Sequence, residues 1–181
     1  MPHLGRSAVE DMRSSDRQEL DEAELVRRAQ LGSSAAFDRL VLARGPDVYR
    51  YLVVRLRNES DARDALQETM TAAWQGLPGL RQPDRFWPWL VAIAARKAAA
   101  VARRRIEGSE QGLELLTHDD ESLLEIRDAI ARLPEHLREV LVLRYRLRLT
   151  EEEAAEALGV RVGTVKSRSF RARKALMEML R

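Results

Sequence analysis

From Asp21 to Arg105 apolar residues recur at spacings of three and four, and no strand-like alternation appears. Ala, Leu, Arg and Glu dominate this stretch, and all are well tolerated inside helices. A chain patterned this way buries stripes of amphipathic helices against one another, so the expected fold class is all-α.

The stripes divide the stretch. Leu25, Val26 and Ala29 make a short apolar face that stops at Gly32. Ser33 or Ser34 can cap the next helix, which bears Phe37, Leu40 and Val41. Gly45–Pro46 predicts a kink or a restart, after which Val48, Tyr51, Leu52, Arg55 and Leu56 carry the helix on. A third helix opening near Ser60 has Ala62, Ala65, Leu66, Thr69, Met70, Ala73 and Trp74 on one side. Asp61, Asp64, Gln67, Glu68 and Thr71 fall on the other, which by itself reads as a solvated face. Leu77–Pro78–Gly79 closes that helix and Gln82–Pro83–Asp84 makes a loop. A last helix runs from about Arg85 through Phe86, Trp87, Trp89, Leu90 and Ile93 to Arg103, Arg104 and Arg105.

From Ile106 to Ile126 the composition changes. Glu107, Glu110, Glu114, Asp119, Asp120, Glu121 and Glu125 face no Lys or Arg, and Gly108, Ser109 and Gly112 loosen the chain. With 181 residues the chain can bury one good core or two small ones. The expected organisation is a disordered extension over 1–20, a helical domain over 21–105, a flexible acidic linker over 106–121 and a second helical domain over 122–181. In the second domain, helix resumes near Ser122 with Leu123, Ile126, Ile130 and Leu133 inward. Pro134 starts the next helix, with Leu137, Val140, Leu141 and Leu143, and about four helices are expected in all.

Two of those four carry the clearest chemistry. Thr150–Leu158 and Val162–Leu176 read as short helices joined by Gly159–Val160–Arg161. Ala155 is small where the helices cross, Gly159 suits a left-handed turn, and Val165 packs the second helix onto the first. The second helix carries Lys166, Arg168, Arg171, Arg173 and Lys174, with no acid until Glu178. An ordinary helical hairpin usually mixes signs on its solvated face, so this is read as a helix-turn-helix presented to a DNA major groove.

Other classes fall away. The formal charge is only +2 although the sequence pI is about 9.3, so nucleic-acid contact must come from local patches. No cysteine is present, which excludes disulfides, thiolate metal sites and a cysteine nucleophile. His3, His118 and His136 are scattered, so neither a metal nor a cofactor is expected. No Gly-rich loop followed by Lys and Ser/Thr cradles a phosphate, and no catalytic constellation is found. No apolar run reaches membrane-spanning length, so a cytoplasmic protein without membrane insertion is expected. Phe86, Trp87 and Trp89 are three of nine aromatics, lying just before Arg96 and Lys97. They can be core, or a stacking platform for single-stranded nucleic acid, and the residues alone leave both open.

Leu149–Ala175 (LTEEEAAEALGVRVGTVKSRSFRARKA) resembles the second conserved domain of extracytoplasmic-function (ECF) sigma factors, the small promoter-specificity subunits of bacterial RNA polymerase. Ala131–Tyr145 (ARLPEHLREVLVLRY) resembles the helices that precede it there, and Asp61–Trp74 (DARDALQETMTAAW) and Phe86–Leu90 (FWPWL) resemble the first domain. The likeness runs from about Glu22 to Leu180. It implies that Asp61, Asp64, Gln67, Glu68 and Thr71 dock on a coiled coil of the polymerase clamp. It implies that the helix from Phe86 to Arg105 opens the promoter and holds the unpaired minus-ten strand, with Trp87, Arg96, Lys97, Arg103, Arg104 and Arg105 as candidates. The C-terminal helix then reads the minus-thirty-five duplex through Arg161, Thr164, Lys166, Ser167, Arg168, Phe170, Arg171, Arg173 and Lys174. Among these, Thr164, Ser167, Arg168 and Arg171 are expected at base edges and Lys166, Arg173 and Lys174 at phosphates.

Two positions depart from the family pattern. Ala95–Arg96 stands where relatives commonly have Arg-Asn, so a longer cation able to reach phosphate replaces an amide that helps hold a flipped base; Ala100 replaces a usual acid. The partners implied are core RNA polymerase, promoter DNA in double- and single-stranded form, and an anti-sigma factor. Alternatives are a stand-alone helix-turn-helix regulator, whose N-terminal helices sense a ligand or dimerise, and a helical adaptor with no DNA role.

Overall fold

Ser33 accepts the Ala36 N–H at 3.3 Å, and that cap separates the first two helices, α1 (22–30) and α2 (Ser34–Leu56). The computed structural model describes residues 22–107 and 128–180, with side chains through Arg104 in the first stretch. The expected extension 1–20, nearly all of the acidic linker, and Ser122, Leu123 and Ile126 lie outside the described residues.

α2 passes through Gly45–Pro46 without the expected restart. Pro46 lacks the N–H that would bond the Leu42 carbonyl, but Leu42 is exposed, where solvent can take that bond. Leu40, before the proline, and Val48, Tyr51 and Leu52, after it, are all buried in one core, which holds both halves of the helix.

α3 (Glu59–Gly76) opens next to Ser60 as expected, capped by Asn58, which accepts the Asp61 N–H at 2.9 Å. Ala62, Ala65, Thr69 and Ala73 face inward, and Thr69 hides its hydroxyl by donating to the Ala65 carbonyl at 2.6 Å. Two short 3-10 turns follow, Leu77–Gly79 and Pro83–Arg85. The Gln30 amide donates to the carbonyls of Leu77 (3.0 Å) and Leu80 (2.7 Å), tying α1 to the first turn. α4 (Phe86–Glu107) then lays Phe86, Leu90, Val91, Ala94 and Ala98 into the core. Its helix extends past the expected domain end at Arg105.

The second stretch begins with α5 (128–132) and α6 (Glu135–Leu141), which widens into a π-helical turn over Val142–Arg146. α7 (Glu151–Leu158) and α8 (Val162–Met179) complete it. Every regular element among the described residues is helical, as expected for an all-α chain.

The two stretches share one apolar cluster. It runs from Val26, Leu40, Tyr51, Phe86 and Leu90 to Val140, Leu143, Leu149, Ala154 and Val165. A smaller cluster of Leu133, Leu137, Leu141 and Ala172 lies beneath α8. Polar groups stitch the same junction. Tyr51 donates its hydroxyl to Glu139 at 2.9 Å, and Arg55 donates to the same carboxylate at 2.9 Å and pairs with Glu135. Arg57 donates to the Ala131 carbonyl at 2.7 Å, and Arg138 reaches that carbonyl at 3.0 Å.

Burial, and then the Glu139 carboxylate, push the Tyr51 phenol well above its ordinary 10.0. The folded chain therefore holds that proton more tightly than the unfolded chain does. Its contribution to stability is complete below pH 10 and is lost as pH rises above it. Urea midpoints measured across the alkaline range should fall above pH 10 in wild type and fall less steeply in Tyr51→Phe. Equal alkaline slopes in the two proteins would contradict this.

Candidate nucleic-acid interface

The turn between α7 and α8 is built from backbone chemistry. Thr150 accepts the Glu153 N–H at 3.2 Å while Glu153 accepts the Thr150 N–H at 2.8 Å, a reciprocal cap that starts α7. Gly159 ends the helix at φ 64°, and its neighbour Val160 donates back to the Ala155 carbonyl at 3.0 Å. Val165, Ser169 and Ala172 then face the core from α8, so the opposite side is turned outward.

That outward side carries the expected duplex-reading residues. Arg161, Lys166, Ser167, Phe170, Arg171, Arg173 and Lys174 are exposed, and Thr164 and Arg168 are half-buried at its margin. Ser167 donates to the Thr164 carbonyl at 3.0 Å, which leaves its lone pairs facing outward as acceptors. Lys166 stands 3.6 Å from Glu151 and Lys174 4.0 Å from Glu178, loose contacts on an exposed surface. Among the described residues no ion pair engages Arg161, Arg168, Arg171 or Arg173. Phe170 is 62% exposed, an apolar ring left at the surface of a cationic helix.

The expected strand-binding residues are less uniform. Arg96, Arg103 and Arg104 are exposed on α4, and Arg105's side chain lies outside the described residues. Lys97 is half-buried and pairs with Glu68 at 3.1 Å. Trp87 is also half-buried. Its indole N–H donates to the Leu147 carbonyl at 2.9 Å, and Arg44 lies over its ring, 4.8 Å from the centroid. Trp89 packs against Phe86, with ring centroids 6.0 Å apart, and belongs to the core periphery.

The polar side of α3 faces an open groove of about 460 Å³ lined by Asp64, Gln67, Glu68, Thr71, Ala72, Gln75 and Lys97. Asp61 is half-buried and is not among the residues lining the groove, and Thr71 spends its hydroxyl on the Gln67 carbonyl at 2.9 Å. Sequence reading missed Gln75 and Ala72, although Gln75 continues the spacing by four from Thr71. It also missed Lys97 as a wall of this groove and Arg44 as a cover for Trp87, which no local pattern signals.

Two family models match this chain: sigma-70 region 2 over residues 40–106 and sigma-70 region 4 over residues 123–176. The RNA polymerase sigma-H factor of Pseudomonas aeruginosa is 33% identical over 184 residues, covering 90% of this chain and 95% of that one. The ECF RNA polymerase sigma-E factor of Salmonella typhimurium is 33% identical over 180 residues, covering 88% and 94%. The chain belongs to the ECF sigma factors. Direction of RNA polymerase to promoters is therefore its function, and the stand-alone regulator is disfavoured. CnrH, solved in complex with the cytosolic domain of CnrY, is similar to this sigma factor in structure. The TM-score is 0.67 at 30% identity, over 88% of this chain and 97% of CnrH.

In this sigma factor the aim of α8 depends on a left-handed residue at the turn. A Cβ at position 159 meets no atom within 4 Å, so backbone strain alone decides the cost of filling it. Gly159→Ala should lower stability in urea unfolding by about 1 kcal/mol. An unchanged midpoint would show that the turn does not hold this conformation.

Proposed function

We propose that this sigma factor binds core RNA polymerase through α3, reads the minus-thirty-five duplex with α8 and captures the melted minus-ten strand along α4. The observation that supports the reading best is the outward, acid-free side of α8 from Arg161 to Lys174. Thr164, Ser167, Arg168 and Arg171 are assigned to base edges, with Phe170 offering apolar contact to a thymine methyl. Arg161, Lys166, Arg173 and Lys174 are assigned to phosphates.

On α4, Arg96, Lys97, Arg103, Arg104 and Arg105 supply cations and Trp87 a stacking surface. Arg96 and Arg103 are seven residues apart, about 10 Å along one side of the helix, so they can track a strand backbone. On α3, Asp61, Asp64, Gln67, Glu68 and Thr71 form the docking side for the polymerase clamp, and Gln75 extends it.

The proposed division of the chain is an extension over 1–20, a polymerase and minus-ten domain over 21–105, an acidic tether over 106–121 and a minus-thirty-five domain over 122–181. Its work is binding rather than catalysis. Extruding each base costs a few kcal/mol, and capture of transiently opened strand supplies it. An anti-sigma factor is a further proposed partner; the pairing of CnrH with the cytosolic domain of CnrY supports a protein inhibitor. The place of action is the cytoplasm, and among the described residues no helix is long and apolar enough to cross a membrane.

Transcription in vitro tests the reading. Purified chain plus core polymerase should start transcripts at particular promoters, and no promoter-dependent start would overturn it. Arg171→Ala should cost about 1–3 kcal/mol in promoter binding and blur sequence preference. Lys174→Ala should weaken binding to all sequences and flatten its salt dependence. An unaltered sequence preference in Arg171→Ala would remove that residue from base readout.

A further inference from the structure

Among the described residues two that are not glycine hold a positive φ, Arg57 at 53° and Arg148 at 56°. A side chain in that region crowds its own backbone, so it stays there only where its surroundings hold it. Arg57 has an evident role. It ends α2 and joins the clasp in which Tyr51 and Arg55 hold Glu139 while Arg57 holds the Ala131 carbonyl. Arg148 has no such tie. It is exposed between Leu147 and Leu149, both buried. Leu147 donates to the Val142 carbonyl at 2.9 Å and Leu149 to the Leu143 carbonyl at 3.0 Å, so the backbone is pinned on either side. The neighbouring cations are engaged: Arg144 donates to the Leu149 carbonyl and Arg146 lies 3.8 Å from Asp47. Among the described residues no ion pair or hydrogen bond engages the Arg148 guanidinium.

This segment leads directly into α7, and α7 is tied to the cationic side of α8. Glu151, three residues past Arg148, faces Lys166 at 3.6 Å. Three residues span at most about 11 Å, which sets Arg148 beside the face assigned to duplex. In a helix-turn-helix the first helix crosses the DNA backbone while the second enters the groove. Of the acids that open α7, Glu151 faces Lys166, Glu153 accepts the Thr150 N–H at 2.8 Å, and Glu152 is exposed. A phosphate approaching this crossing is repelled by Glu152 unless a cation offsets it.

We infer that Arg148 is a further duplex contact, an arginine displayed on a pinned left-handed turn to grip a backbone phosphate flanking the bases that α8 reads. This rests on the reading of α8 as the duplex-reading helix. A guanidinium presents two parallel N–H groups to a phosphate, and such a contact adds affinity and register without reading sequence. Glycine would suit that backbone better but carries no charge, so stability and DNA affinity pull in opposite directions at this position.

The test compares full-length wild type with Arg148→Gly, Arg148→Ala and Arg148→Lys, and with Arg27→Ala, which removes the same charge from α1. Each protein is titrated into a fluorescein-labelled duplex of mixed sequence across a potassium chloride series, followed by anisotropy, and is unfolded in urea. Arg148→Gly and Arg148→Ala should both bind about eightfold more weakly at about 0.1 M salt, the share of one phosphate contact. Both should flatten the slope of log affinity against log salt by about 1. Arg148→Lys should keep most of the affinity, and Arg27→Ala should match wild type. Urea midpoints should separate the variants differently, with Arg148→Gly above Arg148→Ala.

Unchanged affinity and salt slope in Arg148→Gly, while Lys174→Ala still weakens duplex binding, overturns the Arg148 contact alone. A loss equalled by Arg27→Ala overturns it too, as an effect of net charge. A midpoint for Arg148→Gly no higher than for Arg148→Ala overturns the display on a strained turn. Duplex binding unmoved in Lys174→Ala as well overturns the reading of α8 on which the contact rests.

Discussion

The carboxylate of Glu139 is the point at which the two halves of the chain become one structure. A carboxylate that shielded is costly unless its oxygens are matched, and its partners come from 84 and 88 residues earlier in the sequence. Arg55 and Tyr51 sit on α2 one turn apart, so a single helix face presents a cation and a hydroxyl to the same group. The apolar cluster that continues past them supplies the burial, and the pairing fixes which faces meet.

That junction also orders the functional surfaces. α7 contributes Ala154 and Ala155 to the shared cluster, and α8 adds Val165 from its inner side. Small residues at the helix crossing let the two backbones approach, and the Gly159 turn sets the angle between them. The cations of α8 are left outward because its inner positions are already committed. On α4 the opposite happens: Trp87 is half drawn into the junction, and Lys97 is tied to Glu68 on the polar side of α3. The surfaces proposed for strand capture and polymerase docking thus meet at one ion pair, and the surface proposed for duplex reading takes no part in it.

The helix-turn-helix was legible because its signals are local: a small residue at the crossing, a glycine four later, a run of cations without acids. Ser33 as a cap and the inward stripe of α3 were legible for the same reason. At Pro46 local chemistry allows a kink or a restart, and α2 is one helix with no restart, both flanks packing on one core. The third helix opens near Ser60 as expected, with Asn58 as its cap, offering a carbonyl oxygen to the Asp61 N–H. The clasp itself was hidden. Periodicity says which side of a helix is buried but not against what, and Tyr51, Arg55 and Glu139 read individually as ordinary members of their helices. Trp87 could be core or platform from its residue type, and the Leu147 carbonyl that engages it carries no sequence signature at all.

The chain has no cysteine, so a pair of labels can be placed without background. Leu42 and Met177 are exposed, on α2 and α8 respectively, and take part in neither the clasp nor the proposed contacts. Spin labels at Leu42→Cys and Met177→Cys should give one narrow distance distribution in the free chain. A broad distribution in the free chain would contradict two stretches held together through Glu139.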